Sequence, residues 1–157
     1  MFNKKISKEA YVEFITQSKE MLYRIAFGYL RDEAKALDAV DEAIYLGYAN
    51  MNSLREPNFL RTWVTRILIN ECCKTLRKNK REAVMDILPE VAGKEDDSIQ
   101  LKLLIDSLPE DLRKIIVLRY FGGYTISETA EILDIPEGTV STRSRRALEI
   151  LKMEISY

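Results

Sequence analysis

"TISETAEILDIPEGTVSTRSRRALEIL", Thr125 to Leu151, holds two apolar-periodic runs separated by an Asp-Ile-Pro-Glu-Gly turn. The first run opens on Thr125 with Glu128 at the third position after it. That is the capping-box spacing, in which each side chain accepts from the backbone N–H of the other residue. Ile126, Ala130 and Leu133 share one side of this helix, with the small Ala130 where two helices must approach closely. The second run carries Arg143, Arg145 and Arg146. At about 100° per residue, Ser144, Ala147, Leu148 and Leu151 fall on the side of Val140 and form the expected buried stripe. Ser141, Thr142, Arg145 and Arg146 face away from it, and Arg143 sits at the boundary. On an isolated amphipathic helix these arginines would be a solvated face. Behind a short helix and a tight turn they form a helix-turn-helix pattern. Hydroxyls and guanidiniums then lie where a recognition helix meets phosphates and base edges.

Helical periodicity runs back along the chain. From Ser7, a candidate N-cap, Ala10, Phe14, Met21, Leu22, Ile25 and Tyr29 recur at helical spacing, and Gly28 lies near the end. The next stretch sets Leu37, Val40, Ile44, Gly47 and Met51 on one stripe, with Asp38, Asp41, Glu42 and Tyr45 on or near the other face. Pro57 breaks the pattern by disfavouring helix at Glu56. The run from Asn58 to Arg81 is again helical, with Trp63, Ile67 and Asn70 on one side and a basic C-terminal end. Cations there suit the helix dipole as well as any ligand. Pro89, Gly93 and an acidic run mark residues 82–98 as a flexible linker. A second helical unit begins near Ser98, with one helix ending before Pro109 and another starting there and stopping at Gly122 and Gly123. The expected fold is all-α, with small helical domains at 7–81 and 99–155 joined by the acidic linker at 82–98.

Composition narrows the function. The chain has 157 residues, 46% apolar and 31% charged, with only 6 Gly and 4 Pro, a balance that favours packed helices. Net charge is −1, but residues 1–81 carry 15 Lys/Arg against 10 Asp/Glu, and residues 82–107 carry 2 against 7. Five of the eight residues from Lys74 to Arg81 are basic. A basic segment followed directly by an acidic one fits a domain edge and then a linker. Without histidine, and with Cys72 and Cys73 adjacent, a Cys/His zinc site within one chain is excluded and the commonest general base is missing. The two thiols read as small buried residues in a reducing cytosol. No P-loop, dinucleotide fingerprint or nucleophile elbow occurs, so neither a cofactor nor an enzyme activity is expected. The N-terminus lacks the apolar core of a signal peptide, no stretch is long enough to span a membrane, and a cytoplasmic location is expected.

The stretch "SLPEDLRKIIVLRYFGGYTISETAEILDIPEGTVSTRSRRALEIL" resembles the C-terminal promoter-reading region of bacterial RNA polymerase sigma factors of the extracytoplasmic-function group. The run from "LYRIAFGYL" to "LRKNKR" resembles region two of the same group. The resemblance implies two helical domains that bind core polymerase and direct promoter recognition, melting and transcription initiation. Region four would lay its second helix in the major groove of the minus-thirty-five element, through Ser141, Thr142, Arg143, Arg145 and Arg146. Many relatives carry arginine where this chain has Ser141, so its base preference is expected to differ. Region two would read the melted minus-ten element. Leu54 and Arg55 lie in the matching loop, and Arg61, Trp63, Arg66, Asn70, Lys74 and Arg77 on the matching helix. An aromatic is frequent at the place of Leu54, which implies weaker stacking on a flipped base. Asn70 offers both a donor and an acceptor, while Trp63 also suits a plain core position. Asp38, Asp41 and Glu42 match the face that docks on the clamp of the polymerase's largest subunit, although relatives usually have Gln at the place of Asp41. The group also implies a membrane-anchored anti-sigma factor as inhibitor and no small-molecule substrate.

Two rivals remain at this level. A stand-alone regulator explains the helix-turn-helix but not the Trp63–Asn70 helix with its basic tail. A helical adaptor working only through protein contacts predicts no salt-dependent DNA binding.

Overall fold

Ser7 accepts a hydrogen bond from the Ala10 N–H at 3.1 Å and starts α1, Lys8–Leu30. Arg31 closes that helix in the left-handed region at φ 52°, its N–H bonded to the Phe27 carbonyl. Asp32 then caps α2, Glu33–Ala49, by accepting from the Lys35 N–H at 3.0 Å. Two short 3₁₀ turns, Met51–Ser53 and Pro57–Phe59, flank the loop around Leu54, and α3 follows over Leu60–Met85. In this computed structural model the described residues are 5–85 and 97–155. Most of the segment expected as a linker lies outside them. Its two ends are helical, because α3 continues to Met85 and α4 begins at Asp97.

Helices α1 to α3 pack around Leu22, Ile25, Tyr29, Val40, Leu68 and Ile69. The inner face of α2 is Ala36, Ala39, Val40, Ala43 and Gly47, so the helix lies close against α1. Leu37, expected on that stripe, is instead 45% exposed. The buried arc is centred on alanines, which carry a weaker hydropathy signal than a leucine at its edge. Gly47 leaves room for the Tyr11 hydroxyl, which donates to the Ile44 carbonyl at 2.6 Å.

The second lobe comprises α4 (Asp97–Ser107), α5 (Glu110–Ile116, continued by a π-helical turn over Val117–Phe121), α6 (Ile126–Leu133) and α7 (Glu137–Ile155). Its core has two parts, Leu108, Leu112, Ile116 and Ala147 on one side, and Ile115, Ala130 and Val140 on the other. Among the described residues the secondary structure is helical throughout, with no strand.

The lobes do not stand apart. Val117, Leu118, Tyr124 and Ile132 of the second lobe join the core of the first. Arg113, 4% exposed, donates to the carbonyls of Ile105, Asp106 and Leu108 at the end of α4. Its remaining nitrogen reaches the Tyr29 hydroxyl at 3.3 Å, and the guanidinium lies over the Tyr29 ring. Gly28, inside α1, explains itself here. A Cβ at that position would lie 2.5–2.9 Å from the Phe121 ring. Glycine inside a helix costs about 1 kcal/mol against alanine, and its gain is close approach of the two lobes.

Candidate nucleic-acid interface

The helix-turn-helix is built as its sequence indicates. Thr125 accepts from the Glu128 N–H at 3.1 Å, and the Glu128 carboxylate accepts from the Thr125 N–H at 2.9 Å. That backbone bond holds the Glu128 carboxyl below its ordinary range. Asp134 ends α6 in the left-handed region at φ 55°, and the Ile135 N–H returns to the Ala130 carbonyl at 3.0 Å. The Pro136 carbonyl accepts from the Val140 N–H at 3.1 Å as α7 begins.

On α7, Val140, Ser144 and Ala147 are buried. Arg119 approaches the Ser144 hydroxyl at 3.4 Å, which gives this polar residue a partner inside the stripe. Leu148 does not belong to the stripe, being 42% exposed. It lies about 80° round the helix from Val140, at the rim of the arc that α5 and α6 cover. Thr142, Arg145 and Arg146 are exposed, and Ser141 is half-buried. Arg143 is half-buried and stands 3.7 Å from the Asp111 carboxylate. Thr142, Arg143 and Arg146 line a hollow of about 590 Å³ against Pro109, Asp111 and Leu112. The packing of α7 is chiefly on α4, α5 and α6, so its outward N-terminal face is open to solvent.

The other expected residues lie on α3. Trp63, Asn70, Lys74 and Arg77 come together along a hollow of about 500 Å³, with Ser53 from the first 3₁₀ turn, Leu46 of α2 and its C-cap Asn50, and Lys114 from α5. Trp63 is half-buried against the core and Asn70 is exposed. Arg55 is exposed in the loop. Leu54 is 7% exposed and belongs to the core. Its side chain packs inward rather than offering a stacking surface.

Three arginines of α3 are engaged by the second lobe. Arg61 Nε donates to the Tyr124 hydroxyl at 3.3 Å, and its guanidinium lies over the Tyr124 ring. Arg66 donates to the Ile132 carbonyl at 2.8 Å and the Glu131 carbonyl at 2.9 Å, at the end of α6. Arg77 makes a two-pronged contact with Glu110 at 2.8 and 2.7 Å. These partners, with Arg113 and Gly28, escaped the sequence reading. Only Gly28 gave a signal, as a glycine within an otherwise helical run.

On α2, Asp38, Asp41 and Glu42 are exposed. Asp41 also stands at the rim of an apolar groove of about 390 Å³ formed with Tyr11, Val12, Ile15, Ile44, Tyr45 and Tyr48. Cys72 and Cys73 are free and buried, as expected. Burial raises both thiols above their ordinary range, and Cys73 Sγ lies 3.1 Å from the Tyr29 hydroxyl.

Known families match both lobes. Residues 14–82 match the model for sigma-70 region 2, and residues 98–151 match that for sigma-70 region 4. RNA polymerase sigma factor SigV of Bacillus subtilis is 34% identical, over 99% of this chain and 97% of its own length. ECF RNA polymerase sigma factor SigW of the same organism is 30% identical, over 97% and 92%. The chain belongs to the extracytoplasmic-function sigma factors. It directs transcription initiation, and it works by binding rather than by catalysis. Among solved structures, CnrH in complex with the cytosolic domain of CnrY shares the fold, with a TM-score of 0.76 at 19% identity over 96% of this chain and 90% of that one. The sigma factor RpoE in complex with the anti-sigma factor NepR from Bartonella quintana matches with a TM-score of 0.68 at 25% identity, over 92% and 97%. Among the described residues of this sigma factor, no helix is long and apolar enough to cross a membrane.

Proposed function

We infer that the chain is a two-site promoter reader made of region 2 at residues 7–81, an acidic linker at 82–98 and region 4 at 99–155. The outward face of α7 enters the major groove of the minus-thirty-five element. Ser141, Thr142, Arg145 and Arg146 approach bases and phosphates, and Arg143 flanks them. Arg55, Arg61, Trp63, Arg66, Asn70, Lys74 and Arg77 engage the minus-ten element. The Trp63–Asn70 hollow takes an unstacked base, with the asparagine amide reading its edge. Strand opening then follows by population shift, because the melted strand is the form that this hollow binds. Asp38, Asp41 and Glu42 dock on the clamp of the largest polymerase subunit. The partners are core polymerase, promoter DNA and, by analogy with the RpoE–NepR complex, an anti-sigma factor; a membrane-anchored one follows from family analogy alone. The setting is the cytoplasm.

The observation that carries this reading is the open basic face of α7 beyond a capped α6 and a left-handed turn at Asp134. Phosphate neutralisation by such a face makes binding strongly salt-dependent. The test is reconstitution. Purified chain with core polymerase should initiate transcription at a cognate promoter drawn from a library of minus-thirty-five and minus-ten sequences. Folded protein that initiates nowhere in the library would overturn it.

A further inference from the structure

The hollow at the start of α7 holds a charge pair that folding does not require. Arg143 Nε stands 3.7 Å from Asp111 Oδ2, with the two side chains 38% and 54% exposed. That separation is beyond hydrogen-bond reach, and exposed pairs of this kind contribute little to stability. The carboxylate is nevertheless aimed. Its other oxygen, Oδ1, accepts from the Leu112 N–H at 3.1 Å, which leaves Oδ2 turned toward the guanidinium. Thr139, Thr142 and Arg146 line the same hollow, and hydroxyls with guanidiniums are the donor set that holds phosphate oxygens. Gly138, the second residue of α7, belongs to this wall as well. A Cβ there would meet nothing within 4 Å, and its φ is not positive. Nothing inside the chain calls for glycine at this position, although glycine in a helix costs stability against alanine. Its gain is a bare backbone at the edge of the hollow, where an outside group can come close.

We propose that Asp111 is an internal stand-in for a DNA phosphate, occupying Arg143 in the free chain until one backbone phosphate of the minus-thirty-five element displaces it. This role rests on the assignment of α7 to that element, and it gives Arg143 to the DNA backbone rather than to base edges. Charge balance supplies the signature. A guanidinium that neutralises a phosphate releases about one condensed counterion. When it leaves a carboxylate bare beside the same backbone, that carboxylate repels the phosphate and the net neutralisation is near zero. Asp111 therefore weakens promoter binding and flattens its salt dependence. It does so equally for every sequence, because phosphate contacts carry no base information.

The test is the Kd of the full chain, bound to core polymerase, for promoter duplexes across a salt series. Asp111→Asn keeps the shape of the side chain and the Oδ1 acceptor for the Leu112 N–H. It should tighten binding about 2–5-fold at about 0.1 M salt, the range of an exposed ion pair. The plot of log K against log salt should steepen by about 0.9. Both changes should be the same on duplexes with altered minus-thirty-five sequences, and both should vanish in the Arg143→Ala background. Asp111→Glu, which keeps the charge, should stay with wild type. Gly138→Ala should weaken binding several-fold on every duplex, while its thermal midpoint stays equal to wild type or rises.

An unchanged salt slope in Asp111→Asn would overturn the stand-in. So would a gain that survives Arg143→Ala, which is general repulsion, or one that changes with the sequence. Full-strength binding by Gly138→Ala would overturn the close approach of the DNA backbone at the hollow. In the same titration, a loss on Arg146→Ala with no change on Asp111→Asn leaves α7 as the promoter helix and removes only the stand-in. If neither substitution changes Kd, the minus-thirty-five assignment fails, and the stand-in fails with it.

Discussion

Arg143 and Arg146 share a helix end and a residue type, but their surroundings assign them different work. Arg143 is half-buried and held by Asp111 at 3.7 Å, so its guanidinium is partly neutralised before any DNA arrives. Arg146 is exposed on the outward face. Replacing Arg146 by alanine should therefore weaken promoter binding by about 1–3 kcal/mol, read as Kd of the polymerase holoenzyme at fixed salt. An unchanged Kd would return Arg146 to the solvated face. Arg143→Ala should have a smaller effect in the same titration, because part of its charge is already spoken for. The difference between the two was invisible in the sequence, where they are neighbours of equal charge. It depends on Asp111, which lies 32 residues earlier and meets α7 only through the packing of α5. The opposite holds for Trp63, Asn70, Lys74 and Arg77. They lie along one side of a single helix, so their convergence on one hollow follows from helical spacing alone. The burial of Leu54 could not be read in the same way, because a loop has no such period to fix which way a side chain points.

At the scale of elements, the helix-turn-helix was legible because its determinants are local. The Thr125–Glu128 capping box spans one turn, and the left-handed Asp134 and Pro136 mark where α6 stops and α7 starts. Removing the cap tests that the box carries the helix. Thr125→Ala should lower stability by about 0.5–2 kcal/mol in denaturant unfolding, with the steepest loss of amide protection in α6. Unaltered stability would mean that packing alone fixes this short helix. What the local pattern could not show is that α6 has two buried faces. Ala130 meets the core shared with α5 and α7, whereas Ile132 joins the core of the first lobe. An eight-residue helix buried on both sides carries little periodic contrast, and its second partner lies some 65 residues away in sequence, as in the Arg66–Glu131 contact. The same limit explains Leu37 and Leu148. Each is a strong hydrophobe at the edge of an arc whose centre is filled by alanine, valine or serine.

For the whole molecule, the all-helical class and the two lobes follow from spacing, proline positions and charge segregation. Their docking does not, because it is assembled from contacts of high sequence separation. The Arg77–Glu110 pair is one of these contacts whose contribution can be isolated by titration. The Arg77 guanidinium holds the Glu110 carboxyl below its ordinary range, with Lys114 acting in the same direction. A carboxyl lowered in the folded state contributes stability that is present above its unfolded pKa of about 4.3. That contribution is lost as pH falls through the lowered folded value. The stability difference between wild type and Glu110→Gln should accordingly be constant from neutral pH down to the ordinary carboxylate range, then shrink below it. Both side chains are partly solvent-exposed, so the difference should be small and should fade at about 1 M salt, where the screening length drops to about 3 Å. The measurement is paired urea unfolding at several pH values and two salt concentrations. A difference insensitive to both would mean that the pair adds nothing to docking, leaving the buried Thr65–Tyr124 bond, the Arg66 contact with α6 and the Gly28–Phe121 packing to hold the lobes together.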